Sequence, residues 1–196
     1  MNNLRINNQT YLQNKDKITS NTFINWDSKE QKYIKTDENC YFITKVHYKN
    51  KIIITFLKEV LNQWHNTDSD INTYKKIALM SLMKISSLNR NDYLFVYHKE
   101  HINNKKIENI FGIALAERIN NQTAELFTNI TYPNAQLEPK DRPNGTIGAA
   151  GSNLRHHMIT YLFEELKINS IKTTVISKKA LKGLLEIGFE KYEEEK

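Results

Sequence analysis

The chain has 196 residues, of which 39% are hydrophobic and 26% are charged, and its formal net charge is +6. That composition is typical of one globular domain, and the single cysteine, Cys40, excludes an internal disulfide. No stretch approaches the roughly 18 apolar residues of a membrane-spanning helix, and the N-terminal residues lack the apolar core of a secretory signal. We therefore expect a cytoplasmic protein without a membrane partner, or one exported by a route that leaves no such signal.

The excess positive charge lies in the first two thirds of the chain. Residues 1–120 carry 18 basic and 12 acidic side chains, whereas residues 121–196 carry ten of each. A basic surface can bind nucleic acid. Because the lysines form no dense run and the arginines form no cluster, we favour a solvated, lysine-rich surface.

The N-terminal part of the chain begins without strong periodicity. Residues 1–40 are polar and predict a loosely held extension or an irregular decoration of the domain that follows. Residues 40–48, CYFITKVHY, are rich in aromatic and β-branched residues and predict a first strand. The apolar spacing then predicts two amphipathic helices followed by three antiparallel strands, at residues 53–64, 71–85, 93–98, 110–116 and 124–132.

A different pattern follows the third of these strands. A long loop with Pro133, Pro143 and Gly145 leads into a predicted helix at about residues 151–166. A strand and a short helix end the pattern, at residues 170–176 and 178–185. The predicted order is therefore strand, two helices, three strands, helix, strand, helix.

The segment that begins the third predicted helix consists mostly of small residues. Residues 146–153 read TIGAAGSN, which predicts an accessible backbone. Small side chains let backbone N–H groups approach a phosphate closely, and the helix dipole favours an anion there. An ordinary packed loop has a similar composition, so this segment alone is a weak indication of a ligand.

Three segments together resemble the GNAT superfamily of acyl-CoA N-acyltransferases. Ala180, Gly188 and Phe189 match the spacing of the family's last helix, Ala-x-x-Phe/Leu-Tyr-x-x-x-Gly-Phe. Residues 149–154, AAGSNL, match the core of the family's phosphate loop. Residues 127–134, FTNITYPN, are similar to its fourth strand and the turn after it.

The resemblance implies a fold and an activity. The fold would be α/β (α+β), a single domain over residues 41–196 with a central mixed sheet flanked by helices, preceded by an N-terminal extension at residues 1–40. The reaction would move an acetyl or other acyl group from acyl-CoA to a primary amine of a small molecule, peptide or protein. Acetyl-CoA or another acyl-CoA would be the co-substrate, and no metal would be needed.

The resemblance also implies site residues. Glu125 is the candidate catalytic base, because the family often places its base on the fourth strand; a solvent-facing strand carboxylate is the alternative. The candidate cofactor-binding residues lie on the strand end, the phosphate loop and the start of the last helix, and they are Ile130, Thr131, Tyr132, Gly148, Ala149, Ala150, Gly151, Ser152, Asn153 and Ser177.

Several positions depart from the family's pattern. Thr146 stands where Arg or Gln is expected, Ala149 where the first Gly is expected, and Ser177 where an Asn often binds pantetheine. Leu184 occupies the position of the Tyr that often serves as general acid. Only seven residues follow Phe189, so we expect the closing strand pair to be short or incomplete.

Two other functions stay open. The chain could be a GNAT-like module that binds CoA weakly and serves in protein interaction, or an acetyltransferase acting on aminoacyl-tRNA. Nucleic acid is not the favoured partner, because no stacking aromatics alternate with arginines; a homodimer is compatible with each function. His156 and His157 lack the spacing of a helical metal site, and Cys40 is predicted to be a small buried residue.

Overall fold

The computed structural model describes residues 2–19, 24–35, 41–67 and 72–193, so Cys40 lies outside the described residues. Within them lie ten strands and six helices: β1 (Asn2–Asn7), α1 (Asn8–Gln13), α2 (Lys15–Thr19), β2 (Ile24–Asp27), β3 (Lys32–Lys35), β4 (Tyr41–Val46), α3 (Lys51–His65), α4 (Asn72–Ser86), β5 (Asp92–Lys99), β6 (Ile110–Arg118), β7 (Thr123–Thr131), β8 (Ile147–Gly148), α5 (Ala150–Thr160), β9 (Ser170–Val175), α6 (Lys178–Glu186) and β10 (Glu190–Lys191). A π-helical turn, Tyr161–Glu165, extends α5.

Seven of these strands form one mixed sheet in the order β10-β1-β9-β7-β6-β5-β4. Strands β4 to β7 are antiparallel neighbours, which confirms the predicted arrangement of the central strands. Strands β7 and β9 are parallel, and α5 connects them. Burial is nearly continuous along β5 and β6, because helices cover both faces of the sheet there.

The predicted amphipathic helices cover the two faces of this sheet. Asn50 caps α3 by accepting a hydrogen bond from the Ile53 amide at 3.2 Å. The predicted apolar stripe of α3 is buried together with α4 on one face of the sheet, at Ile53, Phe56, Leu57, Val60, Leu61 and Trp64. Helices α5 and α6 pack on the other face, where Leu154 and Met158 are fully buried. Burying each such side chain stabilises the fold by about 1.5–3 kcal/mol.

Residues 2–7 form a strand of the central sheet and residues 8–13 and 15–19 form helices, so the prediction of a loosely held extension or irregular decoration is wrong for these residues. Strand β1 lies between β9 and β10 and pairs with β9 along its whole length. Leu4 and Ile6 are fully buried, while the alternate residue Arg5 is exposed. Two apolar residues in a polar segment are too few for a clear strand pattern, yet they suffice to cover the core side of β9.

Helix α1 is fixed to the end of α5. The ring of Tyr11 stacks on Phe163 with 4.6 Å between ring centroids, and its hydroxyl donates to Glu164 at 2.7 Å. Burial and this carboxylate raise the pKa of Tyr11 to about 12. Lys15 lies 2.6 Å from the same carboxylate. These contacts hold α1 and α2 on the helical layer that contains α5.

A hairpin forms a second, smaller sheet against the loop before α5. Strands β2 and β3 are antiparallel, and β2 also pairs with β8, with Ile24 opposite Gly148. Arg142 lies over the rings of Trp26 and Tyr33, at 4.8 and 5.2 Å from their centroids. The hairpin at residues 24–35 therefore covers the long loop between Pro133 and the predicted phosphate loop.

Candidate functional site

Strands β7 and β9 separate at the edge of the sheet where α5 and α6 begin. Their parallel ladder runs only from Thr123 opposite Ser170 to Leu126 opposite Thr173. At Phe127, β7 has one more residue than β6, and such a bulge bends a strand. Both helices follow a parallel strand, and ligands of such sheets bind outside the carboxyl ends of the strands. This gap, the β7/β9 opening, is the candidate site.

Beyond the bulge, β7 turns the backbone groups of Asn129 and Thr131 toward the β7/β9 opening. The Tyr132 amide donates to the Phe111 carbonyl of β6 at 3.0 Å, and residues in an antiparallel ladder alternate between the two sides. Ile130 and Tyr132 therefore direct their backbone groups to β6. The prediction of an accessible strand backbone is therefore wrong for Ile130 and Tyr132. It agrees with the structure at Thr131, and it does not include Asn129.

Helix α4 fixes this end of β7 from the opposite face. The Tyr74 hydroxyl donates to the Thr131 carbonyl at 2.9 Å, and burial raises the pKa of Tyr74, so the hydroxyl remains protonated. The Ser81 hydroxyl donates to the Ile77 carbonyl at 2.8 Å and shares a buried hydrogen bond with the Thr128 hydroxyl at 3.1 Å. The Thr131 carbonyl keeps a second lone pair for another donor.

The first turn of α5 leaves backbone amides without an acceptor in the helix. Its first backbone bond runs from the Asn153 amide to the Ala149 carbonyl at 2.8 Å, so the amides of residues 150–152 have no acceptor in the helix. Ala149 has φ 56° and ψ 6°, and its side chain makes no cap. A left-handed residue followed by helical ones forms a concave set of N–H groups that suits an anion. Ala149 thus adopts the conformation that favours glycine, the residue expected at this position.

Asn129 connects the open part of β7 to this first turn. Its Nδ2 donates to the Gly151 carbonyl at 2.7 Å, and its Oδ1 is buried without a partner in the described part of the chain. A Cβ atom added to Gly151 would lie 3.3 Å from the Thr131 methyl group. Glycine at position 151 therefore lets α5 approach β7 closely, and Asn129 offers a free acceptor beside the turn.

The predicted accessibility of residues 146–148 is wrong. Thr146 and Ile147 are buried, at 4% and 5% exposure. A Cβ atom on Gly148 would lie 2.6 Å from the Tyr33 ring and 2.7 Å from the Ile24 side chain, because the hairpin packs directly on this glycine. Gly148 thus belongs to the small sheet, and the β7/β9 opening begins at Ala149.

The remaining candidate cofactor residues differ in their accessibility. Ala150 and Asn153 are buried at 2% exposure, whereas Ser152 is half-buried. The Ser177 hydroxyl caps α6 by accepting from the Ala180 amide at 3.4 Å. That bond uses a lone pair of the oxygen and leaves the hydroxyl proton of Ser177 able to donate.

Glu125 lies two residues before the bulge, on the sheet face that carries α4. It stands opposite Glu117 of β6 and opposite Lys172 of β9 in register. Glu117 binds Lys84 of α4 at 2.6 Å, and Lys84 also lies 2.8 Å from the buried Asp92. Burial alone would lower the pKa of Lys84, but the two carboxylates raise it above its ordinary value. The candidate base thus borders a fixed charge network.

Leu184 of α6 and Arg155 of α5 are two further positions to consider. Leu184 is buried at 4% exposure in the core beneath α6, so its position supplies no proton donor. The side chain of Arg155 in α5 contacts Gly183 of α6: a Cβ atom added to Gly183 would lie 3.0 Å from Nη2 of Arg155. Burial lowers the pKa of Arg155, and nearby Glu186 opposes that effect. Sequence reasoning missed Arg155 because it interrupts the apolar stripe without any motif.

The other residues considered from sequence do not form a site. The exposed His157 packs edge-on against Phe95, with ring centroids 5.4 Å apart. In the described part of the chain, no group of three or more His, Cys, Asp or Glu residues could hold a metal ion. None of the helices in those same ranges has the length and apolar character needed to cross a membrane.

The sequence matches no family model and no curated protein, but its fold matches solved structures. One is described as a tandem GNAT protein from the clavulanic acid biosynthesis pathway. The match has a TM-score of 0.50 at 10% identity and covers 97% of this chain and 50% of that chain. This chain thus spans about half the length of that protein. At such identity the similarity shows the fold alone, and the predicted GNAT fold is confirmed.

Two shorter acetyltransferase structures are also similar. The Campylobacter jejuni N-acetyltransferase PseH, in complex with acetyl coenzyme A, is 23% identical with a TM-score of 0.46, covering 79% of this chain and 93% of that chain. An aminoglycoside acetyltransferase, meta-AAC0020 from an uncultured soil metagenomic sample, is 14% identical with a TM-score of 0.46, covering 78% and 90%.

Proposed function

We propose that this chain is an acyl-CoA-dependent N-acyltransferase that moves an acetyl group to a primary amine. The observation that carries the proposal is the uncapped first turn of α5 beside the outward-facing backbone of Asn129 and Thr131. A helix start of this kind binds phosphate groups, and an unpaired strand edge binds amide groups. CoA carries both, a diphosphate and a chain with two amides.

The residues at the β7/β9 opening fit such a molecule. The amides of residues 150–152 would hold the diphosphate, and the backbone of Asn129 and Thr131 would pair with the pantetheine amides. The buried Asn129 Oδ1 without a partner supplies one more acceptor for an N–H group. When bound, acetyl-CoA supplies an activated acyl thioester.

Glu125 would prepare the amine for attack. A lysine-like amine has a reference pKa near 10.4 and must lose a proton before it attacks. Glu125 lies on the face of β7 opposite to Asn129, whose side chain reaches α5. The sheet therefore separates a phosphate-binding side from an amine side, and a water at Glu125 would carry the proton away. With Leu184 buried, solvent would protonate the departing thiolate.

Acetyl-CoA binding and amine acetylation test this proposal directly. A ligand that binds only the native state at one hundred times its Kd adds about 2.7 kcal/mol to the free energy of unfolding. We expect acetyl-CoA to raise the melting temperature more than ADP, which has the diphosphate and lacks pantetheine. Mass spectrometry of a panel of primary amines should then show acetylated products. An unchanged melting temperature with saturating acetyl-CoA would count against the proposal.

A second candidate function is a CoA-binding module without catalysis. The observation that favours it is the buried Leu184 at the position expected for the general acid. Such a module would show the same thermal shift with acetyl-CoA, but no amine in the panel would be acetylated. Catalysis that disappears in Glu125→Gln while the thermal shift remains would exclude it.

A further inference from the structure

In the described part of the chain, one face of the sheet half formed by β9, β1 and β10 has no helix packed on it. Strands β9 and β1 bury Ile171, Leu4 and Ile6 against the helices of one face. On the other face, which carries α4 farther along the sheet, the alternate residues Arg5, Thr174 and Glu190 are exposed. This open face adjoins Glu125 and therefore lies on the amine side of the β7/β9 opening.

Charged residues form a row across this face. Glu125 of β7 is opposite Lys172 of β9, and Lys172 is opposite Arg5 of β1. Register partners on neighbouring strands share a face and lie about 5 Å apart. The backbones of Lys172 and Arg5 thus lie about 5 Å and about 10 Å from the backbone of the candidate base. Glu190 of β10 ends the row, because it is the register partner of Arg5 on the other side.

Tyr192 holds the two cations in place without using their hydrogen-bond donors. The Arg5 guanidinium lies 5.7 Å from the centre of the Tyr192 ring, and the Lys172 ammonium lies 5.2 Å from it. Contact with an aromatic ring is electrostatic, so the N–H groups remain free to donate. In the described part of the chain, neither cation belongs to an ion pair with an acidic side chain.

We propose that the acceptor is a small primary amine that also carries a phosphate or a carboxylate. Arg5 and Lys172 bind that anion by charge-assisted hydrogen bonds, and the amine then lies at Glu125. This inference rests on the proposed function and names the substrate class of the same site.

The transfer itself balances with these residues. The amine nitrogen forms a bond to the thioester carbonyl carbon, and the bond from that carbon to sulfur breaks. Starting from the ammonium form, the nitrogen loses one proton through water at Glu125 before it attacks and a second proton to solvent afterwards, and the thiolate takes one proton from solvent. Arg5 and Lys172 take no part in the bond changes; they position the acceptor.

Matched pairs of amines test the inference. Hexylamine and 6-aminohexanoate differ in one terminal carboxylate, and glucosamine and glucosamine 6-phosphate differ in one phosphate. We expect kcat/KM to be about tenfold higher for the anionic member of each pair at low ionic strength. Calorimetric binding of hexylamine and 6-aminohexanoate to the CoA-saturated protein should show the same preference. Added salt should reduce it, because exposed charges are screened.

Charge variants connect the preference to the two cations. Arg5→Gln and Lys172→Gln should each lower the preference by raising KM for the anionic member, with little change for its neutral partner, and Arg5→Glu should abolish it. Lys182→Gln is the control, since Lys182 is exposed on α6, which covers the other face of the sheet. That variant should keep the preference. Arg5 and Lys172 lie outside the acetyl-CoA side, so acetyl-CoA should raise the melting temperature of all four variants equally.

The outcomes separate the two proposals. Failure of acetyl-CoA to bind the wild-type protein overturns the proposed function. Normal acetyl-CoA binding with equal calorimetric affinity for hexylamine and 6-aminohexanoate overturns the substrate class alone. An anionic preference that survives in Arg5→Gln and in Lys172→Gln also overturns it.

Discussion

Helices α5 and α6 begin at the same edge of the sheet, each after a parallel strand, but their first turns differ. Ser177 caps α6 through its hydroxyl, whereas Ala149 precedes α5 in a left-handed conformation and provides no cap. A cap satisfies an amide that would otherwise need another acceptor. The difference favours the start of α5 for the proposed anion binding, and it shows that the composition of a helix start does not reveal which amides are free.

The largest expected effect is on turnover, and it comes from a substitution of Glu125 in β7. Glu125→Gln should lower turnover by roughly 10²–10⁴-fold, because the amide cannot accept the proton. Residual activity should rise with pH, since a larger fraction of the amine is then neutral. Steady-state kinetics across pH, beside acetyl-CoA thermal shifts, measure both effects. Unaltered turnover would show that Glu125 is not the base, but it would not affect the difference between the starts of α5 and α6.

Ser152→Asp tests whether the α5 amides bind the diphosphate. The added carboxylate would occupy the first turn of α5 and repel an anion, so the Kd for acetyl-CoA should rise roughly tenfold. Replacing Gly151 by Val is a less clean test, because the Thr131 methyl group lies only 3.3 Å from an added Cβ. Calorimetry measures the Kd. The matched control, Lys179→Glu at the start of α6, should leave it within about twofold.

Ala149→Gly tests the left-handed residue before α5. Glycine adopts positive φ without a steric penalty, so this variant should gain about 1 kcal/mol in free energy of unfolding. Chemical denaturation measures the gain. Acetyl-CoA should bind the variant at least as well as the wild type, because the amides keep their places. A loss of stability would show that Ala149 is not strained in solution.

The smallest expected effect belongs to α6. Ser177→Ala removes a cap whose bond is long, at 3.4 Å, and should cost about 0.5–1 kcal/mol of unfolding free energy. Ser177→Thr keeps a capping oxygen and serves as the control. Because α6 is already capped, the Kd for acetyl-CoA should not change. A marked rise in Kd for Ser177→Ala alone would instead give Ser177 the cofactor contact that the family resemblance implies.

The sequence predicts the helices and the meander because their apolar residues repeat with regular periods. The stripe from Ile53 to Trp64 and the residues Leu154 and Met158 all lie in the core. The periodicity does not predict the N-terminal strand β1, because Leu4 and Ile6 are its only apolar residues. The periodicity does not predict the small sheet formed by the hairpin at residues 24–35 either, since the partner strand of the hairpin, β8, has only two residues.

The sequence singles out the segments that border the candidate site, but it does not show which of their groups are accessible. The bulge at Phe127 shifts the alternation of β7 by one residue, so the sequence period cannot show which backbone groups face the β7/β9 opening. In the proposed site, the backbone groups of Asn129 and Thr131 therefore take the place of the predicted set at Ile130, Thr131 and Tyr132. Gly148 is buried by Tyr33, which lies more than one hundred residues earlier in the sequence. The local composition around Gly148 therefore cannot predict that contact.

The place of β1 has a consequence for how the chain folds as it is made. Residue 7 pairs with residue 170, and synthesis releases the N-terminal residues first. Leu4 and Ile6 must remain exposed to solvent or to chaperones until β9 has left the ribosome, and pairing over such a long separation is slow. Strand β1 is thus synthesised long before it can be placed between β9 and β10.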